Sequence, residues 1–173
     1  MTPWRPVSLT GEKAIMRRLK LALALSTAVV FSAQAAAATM PDAKLWNGSW
    51  HLNSAKSMFG AAGKEQSETR SYDYSGGKLT MRSTSKNGAG KEMSFSYSAE
   101  LNGKWYPMTG NPNADSISLI AVSGRELKAS SRMHGKLTVQ TTATVSPDGK
   151  HLSLKRTYVA MKGTPSESLE FDR

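Results

Sequence analysis

Glu92-Met93-Ser94-Phe95-Ser96-Tyr97-Ser98-Ala99-Glu100-Leu101 decides the fold class of this chain. Met93, Phe95, Tyr97, Ala99 and Leu101 occupy every second position, with serines and Glu100 between them. A period of two belongs to a strand with one apolar face and one wet face. The same alternation returns at Leu137, Val139, Thr141, Ala143 and Val145, set against Thr138, Gln140, Thr142 and Thr144.

Turn signals recur outward from this stretch: Asn47-Gly48, Gly76-Gly77, Asn87-Gly88, Asn102-Gly103, Ser123-Gly124, His134-Gly135 and Pro147-Asp148-Gly149. Most supply the positive φ that tight hairpins require. They bound ten expected strands: Leu45–Leu52, Glu68–Tyr74, Lys78–Thr84, Lys91–Leu101, Lys104–Met108, Ser116–Val122, Glu126–Met133, Lys136–Val145, His151–Met161 and Ser168–Asp172. No helical apolar stripe follows Lys44, although Ser54–Ala62 has room for a short helical turn.

Strands joined by short hairpins must hide their edges, and sequential pairing favours closing the sheet on itself. An all-β, up-and-down antiparallel barrel of about ten strands is therefore expected. A two-sheet sandwich is the alternative, and its crossing connections need longer loops than the sequence offers. A barrel this wide is expected to keep a hollow interior, because its own side chains fill it poorly; a solid core is the competing reading.

The 173-residue chain has no cysteine, which removes disulfide scaffolds, thiolate metal sites and thiol nucleophiles. Met16-Arg17-Arg18-Leu19-Lys20 is followed by an apolar run to Phe31 and by Ala33-Gln34-Ala35. A basic segment, a core too short to span a bilayer and a small-x-small site read as a cleaved secretory signal over residues 16–35. Residues 1–15 fit an upstream mis-start or leader extension, residues 36–44 a linker, and residues 45–173 the barrel domain. The product is expected in the periplasm or the medium, with no integral membrane span.

The formal charge is +10, and +6 once residues 1–35 are removed. The remaining basic residues are scattered without a block, so no nucleic-acid partner is expected. Weak contact with an anionic envelope follows from the sign alone.

Gly48-x-Trp50 opens the first strand within Trp46-Asn47-Gly48-Ser49-Trp50-His51-Leu52-Asn53. This motif, the meander and the domain length resemble the calycins, that is, lipocalins and fatty-acid-binding proteins. The segment through Phe59, with Tyr106-Pro107-Met108-Thr109-Gly110-Asn111-Pro112, is similar to small secreted bacterial lipocalin-like proteins. The resemblance implies that Trp50 packs across the closed end of a barrel. Fatty-acid-binding relatives hold a ligand carboxylate with Arg-x-Tyr on the last strand; here that strand reads Leu169-Glu170-Phe171, and the residues do not carry over.

Arg156-x-Tyr158 lies one strand earlier, on the face of Leu152 and Leu154. Facing inward, Arg156 would need an acid or an anionic ligand, so a bulge that turns it to solvent beside Lys155 is expected. The candidate ligand-binding residues are Trp50, Met81, Met93, Phe95, Tyr97, Leu137, Val139, Leu154, Arg156 and Tyr158. The function they suggest is non-enzymatic binding of a small hydrophobic or amphipathic molecule, without a cofactor; a filled structural or interaction barrel with a basic surface is the rival.

Catalytic constellations are thin. His51, His134 and His151 lack metal-binding spacing, and Asn111-Pro112-Asn113-Ala114-Asp115 reads as a turn before a calcium loop. Ser83-x-x-Lys86 sits at a strand end instead of on a helix. Glu65 and Glu68 precede a strand, and no close pair of acids is expected at a barrel mouth.

Overall fold

The computed structural model describes residues 40–60, 63–163 and 165–173. A short helix, α1 (Ala43–Trp46), precedes β1 (Gly48–Leu52), β2 (Glu65–Ser75), β3 (Lys78–Asn87), β4 (Glu92–Glu100) and β5 (Asn102–Thr109). Then come β6 (Ser116–Ser123), β7 (Glu126–Met133), β8 (Lys136–Val145), β9 (His151–Thr157) and β10 (Ser166–Asp172). Each strand pairs antiparallel with its neighbours in sequence, and β1 pairs with β10, so the ten strands form a closed barrel. The sandwich alternative is excluded. The leader reading falls on residues outside the described ones.

Closure rests on a short seam, His51 with Asp172 and Leu52 with Phe171. The chain beyond β1 lengthens it: the Asn53 N–H donates to the Glu170 carbonyl at 2.7 Å, and Met58 and Ser168 exchange backbone bonds of 2.7 and 2.9 Å. In place of the helical turn expected over 54–62, residues 54–56 make a plain turn, and Met58 is back against the sheet. Opposite lies a weak seam, since β4 and β5 pair only at Ser96–Thr109 and Tyr97–Met108. The Met108 N–H goes to Asp115 on the β6 side at 2.8 Å. Adjacent residues of a strand point their backbone groups to opposite neighbours, so the N–H that Pro107 lacks is one that would face β4.

Several strand ends differ from expectation: β2 starts at Glu65 instead of Glu68 and β3 runs on to Asn87 instead of Thr84, while β1 and β9 are shorter than expected. Leu45 and Trp46 are helical, with the Asp42 carboxylate accepting from the Lys44 N–H at 3.0 Å, and the proposed linker thus overlaps α1. Gly48, at φ +124°, turns the chain from that helix into β1, a backbone conformation open to glycine. β9 stops at Thr157 instead of Met161, where the Tyr158 N–H bonds the Pro165 carbonyl to start the final connection.

The α1 end of the barrel is packed. Trp46 and Trp50 are fully buried, together with Leu79, Val145, Leu152 and Phe171. The Trp46 indole N–H donates to the Gly124 carbonyl at 3.0 Å, and the Trp50 indole N–H to the Trp46 carbonyl at 3.2 Å. Neither ring therefore leaves a polar atom stranded. Each large apolar side chain so buried contributes roughly 1.5–3 kcal/mol, which anchors this end.

Candidate functional site

Above the packed end the strands enclose a cavity of about 350 Å³. Of the residues expected to line it, Met81, Met93, Phe95, Tyr97, Val139, Leu154, Arg156 and Tyr158 do so. Two do not. Trp50 is buried in the packed end, and it is Trp46 that reaches the cavity. Leu137 is 39% exposed, because a bulge between Ser131 and Arg132 in the β7–β8 ladder pairs Leu137 with Arg132 and breaks the alternation that holds from Val139 to Val145.

The expectation that a bulge turns Arg156 to solvent is also corrected. No register shift occurs around Arg156, whose partners are Thr141 on β8 and Glu167 on β10, and alternation from Leu152 and Leu154 carries it inside. Its Nη1 donates to Glu167 Oε1 at 2.9 Å, and the Tyr158 hydroxyl donates to the same oxygen at 2.6 Å. The buried cation thus has the acid it requires. Burial pushes the Tyr158 hydroxyl up to about 12, keeping it a donor at neutral pH.

A second charged group comes from β2. Arg70 Nη2 lies 2.5 Å from Glu68 Oε1, and the Ser83 hydroxyl donates to that oxygen at 2.6 Å. Arg70 also lies against two rings, 5.6 Å from the Phe95 centroid and 5.3 Å from that of Phe171.

Glu65 completes the cluster and overturns the expectation that no two acids meet. It lies three positions before Glu68, an odd spacing that places them on opposite faces of a regular strand. A register shift between Glu65 and Ser67 inserts one residue and turns both inward. Their carboxyls come within hydrogen-bonding reach of one another. Burial, then the Glu68 charge, raises Glu65 far above the ordinary carboxyl range. Burial also works against Glu68, but Arg70 and Arg156, with hydrogen bonds from Glu65 and Ser83, outweigh it and hold Glu68 ionised. Oε2 of each carboxyl is buried without a hydrogen-bond partner among the described residues. A proton on Glu65 makes one oxygen a donor to the other, so at neutral pH the pair shares one proton.

Glu65, Glu68, Arg156, Tyr158 and Glu167 lie toward the end remote from α1, at the start of β2, the end of β9 and the start of β10, whereas Arg70 and Ser83 sit midway along their strands, Arg70 opposite Trp50 in the β1–β2 register. The cavity thus has Trp46 at one end and the polar side chains of Glu65, Arg156 and Tyr158 toward the other, with Arg70 between them.

Elsewhere the bland readings describe the local geometry. The Asn111 carboxamide oxygen accepts from the Asn113 N–H at 2.8 Å, as in a turn. Ser83 faces the interior while Lys86 is exposed. Among the described residues, no group of three or more His, Asp or Glu is placed to hold a metal ion, and no helix is long and apolar enough to cross a membrane. Comparison with protein-family models, with curated proteins and with solved structures finds no match to this chain.

Proposed function

We propose that this protein is an exported, non-enzymatic carrier of the calycin type that takes up one small amphipathic molecule inside the barrel. The observation that carries this reading is the cavity of about 350 Å³, with Trp46 at one end and the polar side chains of Glu65, Arg156 and Tyr158 toward the other. At about 30 Å³ for a water or a group of similar size, it has room for about a dozen non-hydrogen atoms. A chain would lie among Met81, Phe95, Leu119 and Leu154, with its polar head toward Glu65, Arg156 and Tyr158.

Carriage fits the charged groups better than hydrolysis does. The carboxyls of Glu65 and Glu68 are in hydrogen-bonding contact, whereas a glycosidase pair is held roughly 5 Å or more apart to flank its substrate. Export rests on the Met16–Ala35 segment, and the calycin assignment on Gly48-x-Trp50 together with the ten-stranded meander.

Titration of the purified protein with N-phenyl-1-naphthylamine and other hydrophobic dyes tests the carrier reading. Saturable, one-to-one binding that amphipathic chains displace is expected. Dye uptake no greater than that of an unrelated barrel, together with salt-sensitive retention on anionic polymers, would favour the filled interaction barrel instead. Export is checked on protein recovered from the medium or the periplasm, whose N-terminus is expected within a few residues of Ala36.

A further inference from the structure

The two ends of the barrel differ in charge as well as in packing. At the α1 end acids and bases are mixed, Asp42, Glu126 and Asp148 beside Lys44, Arg125 and Lys150. The end where the cavity reaches the surface is one-sided. Lys64 precedes β2, Lys91 closes the β3–β4 turn, Lys136 opens β8 and Lys162 lies in the β9–β10 connection, and all four are exposed. Lys64 also lines the cavity.

The acids at this end are engaged elsewhere. Asp115 accepts the His134 N–H at 2.7 Å and the Ser116 hydroxyl at 2.5 Å. Glu92 stands opposite Lys86 in the β3–β4 ladder, Glu65 is turned into the cavity against Glu68, and Glu167 holds Arg156. The four lysines make no ion pair among the described residues.

Apolar groups stand among them. Met161, next to Lys162, is 42% exposed and also lines the cavity; Leu137, next to Lys136, is 39% exposed. The backbone brings these two segments together, since the Ala160 N–H donates to the Thr138 carbonyl at 3.4 Å. Ammonium groups on long stems around an apolar patch suit a surface that is charged on top and oily beneath. A water-soluble polyanion would meet the lysines alone and leave Met161 and Leu137 wet.

We propose that the barrel docks by this end on an anionic lipid bilayer, with the mouth of the cavity facing the membrane. The lysines meet the head groups, and Met161 and Leu137 reach the boundary with the acyl chains. Each lysine near such a surface is worth roughly a fivefold gain in partition, so four together give on the order of several hundredfold. The α1 end, with charges of both signs, gains little. Docking stands on the rim and does not require a loaded cavity; for a carrier it shortens the ligand's path through water.

Co-sedimentation of the purified protein with vesicles of phosphatidylcholine, alone or mixed with phosphatidylglycerol, tests this. Binding is expected only to the mixed vesicles and is expected to weaken as salt rises. Lys91→Gln with Lys162→Gln is expected to weaken it about tenfold or more. Lys44→Gln with Lys150→Gln removes the same charge from the α1 end and is expected to change it less than about threefold. Wild type and both variants share residues 1–35, so the basic residues there weigh equally on all three. All four substituted lysines are exposed, so both variants are expected to fold as the wild type does. Met161→Gln is expected to weaken vesicle binding by about threefold and to leave retention on heparin unchanged. Equal losses from the two lysine pairs would reduce the attraction to net charge and overturn the proposal. So would firm retention on heparin without vesicle binding, which would assign this end to an acidic polymer. Dye binding is a separate measurement: its failure beside the expected vesicle pattern sinks the carrier alone, and the reverse result sinks only the docking.

Discussion

Arg173 lays its guanidinium over the Trp50 ring, 4.2 Å from the ring centroid, while Nη2 donates to the carbonyls of Leu45 at 2.7 Å and Asn47 at 2.8 Å. The last residue of the chain thus ties the loop that carries α1 to the first strand, at the seam where the barrel closes. Trp50→Ala is expected to cost about 3–5 kcal/mol, the ordinary penalty for emptying a large buried site, whereas Arg173→Ala is expected to cost about 1–2 kcal/mol. Urea unfolding midpoints give both values. A Trp50→Ala loss below about 1 kcal/mol would show that the ring is not a structural plug.

Arg156 and Glu167 form a buried pair with side chains 15% and 2% exposed. Removing one partner strands the other, so Arg156→Met is expected to destabilise by about 3–5 kcal/mol. The double variant Arg156→Met with Glu167→Leu is expected to recover most of that loss, because no uncompensated charge remains. Additive losses in the double-mutant cycle would mean that the two residues do not depend on each other.

Glu65 gives stability a pH dependence of definite sign. Its carboxyl is pushed up to about 8 in the folded chain from an ordinary 4.5, so the unfolded chain releases this proton first as pH rises. The contribution is fully present below about 4.5 and is lost as pH climbs toward 8. Glu68, shifted the other way by its cations, contributes stability above 4.5 that is lost on acidification through its folded value. Denaturation midpoints of the wild type are expected to fall between pH 5 and 8.5, and Glu65→Gln is expected to flatten that decline. Parallel pH profiles for the two proteins would remove Glu65 as its source.

Ala129 lines the cavity from β7 and pairs with Leu119 on β6 and Thr141 on β8. Ala129→Phe places a ring in open space instead of in a packed core, so stability is expected to change by less than about 1.5 kcal/mol, in contrast to ordinary overpacking. Dye binding is expected to drop sharply. A loss of more than about 3 kcal/mol would indicate that the interior around Ala129 is already full.

The strands and the closed barrel were legible in the amino-acid order because their causes are local. Period-two alternation shows in a stretch such as Met93–Leu101, and dipeptides such as Gly76-Gly77 mark where the chain reverses. Many short hairpins leave few ways to hide two sheet edges besides joining them. Alternation also placed most of the cavity lining, and it failed where one extra residue changes the phase: the bulge beside Arg132 puts Leu137 outside, and the shift at Glu65 turns an apparently two-faced pair of acids inward. Tertiary structure alone decided the charged end. Arg70 lies 86 residues from Arg156 in the chain, and whether a buried arginine is tolerated depends on which acid the closed barrel sets opposite it. For Arg156 that acid is Glu167, brought into register by the pairing of β9 with β10. Backbone preference is written residue by residue, while the compensation of a buried charge is a long-range matter that only the assembled fold fixes.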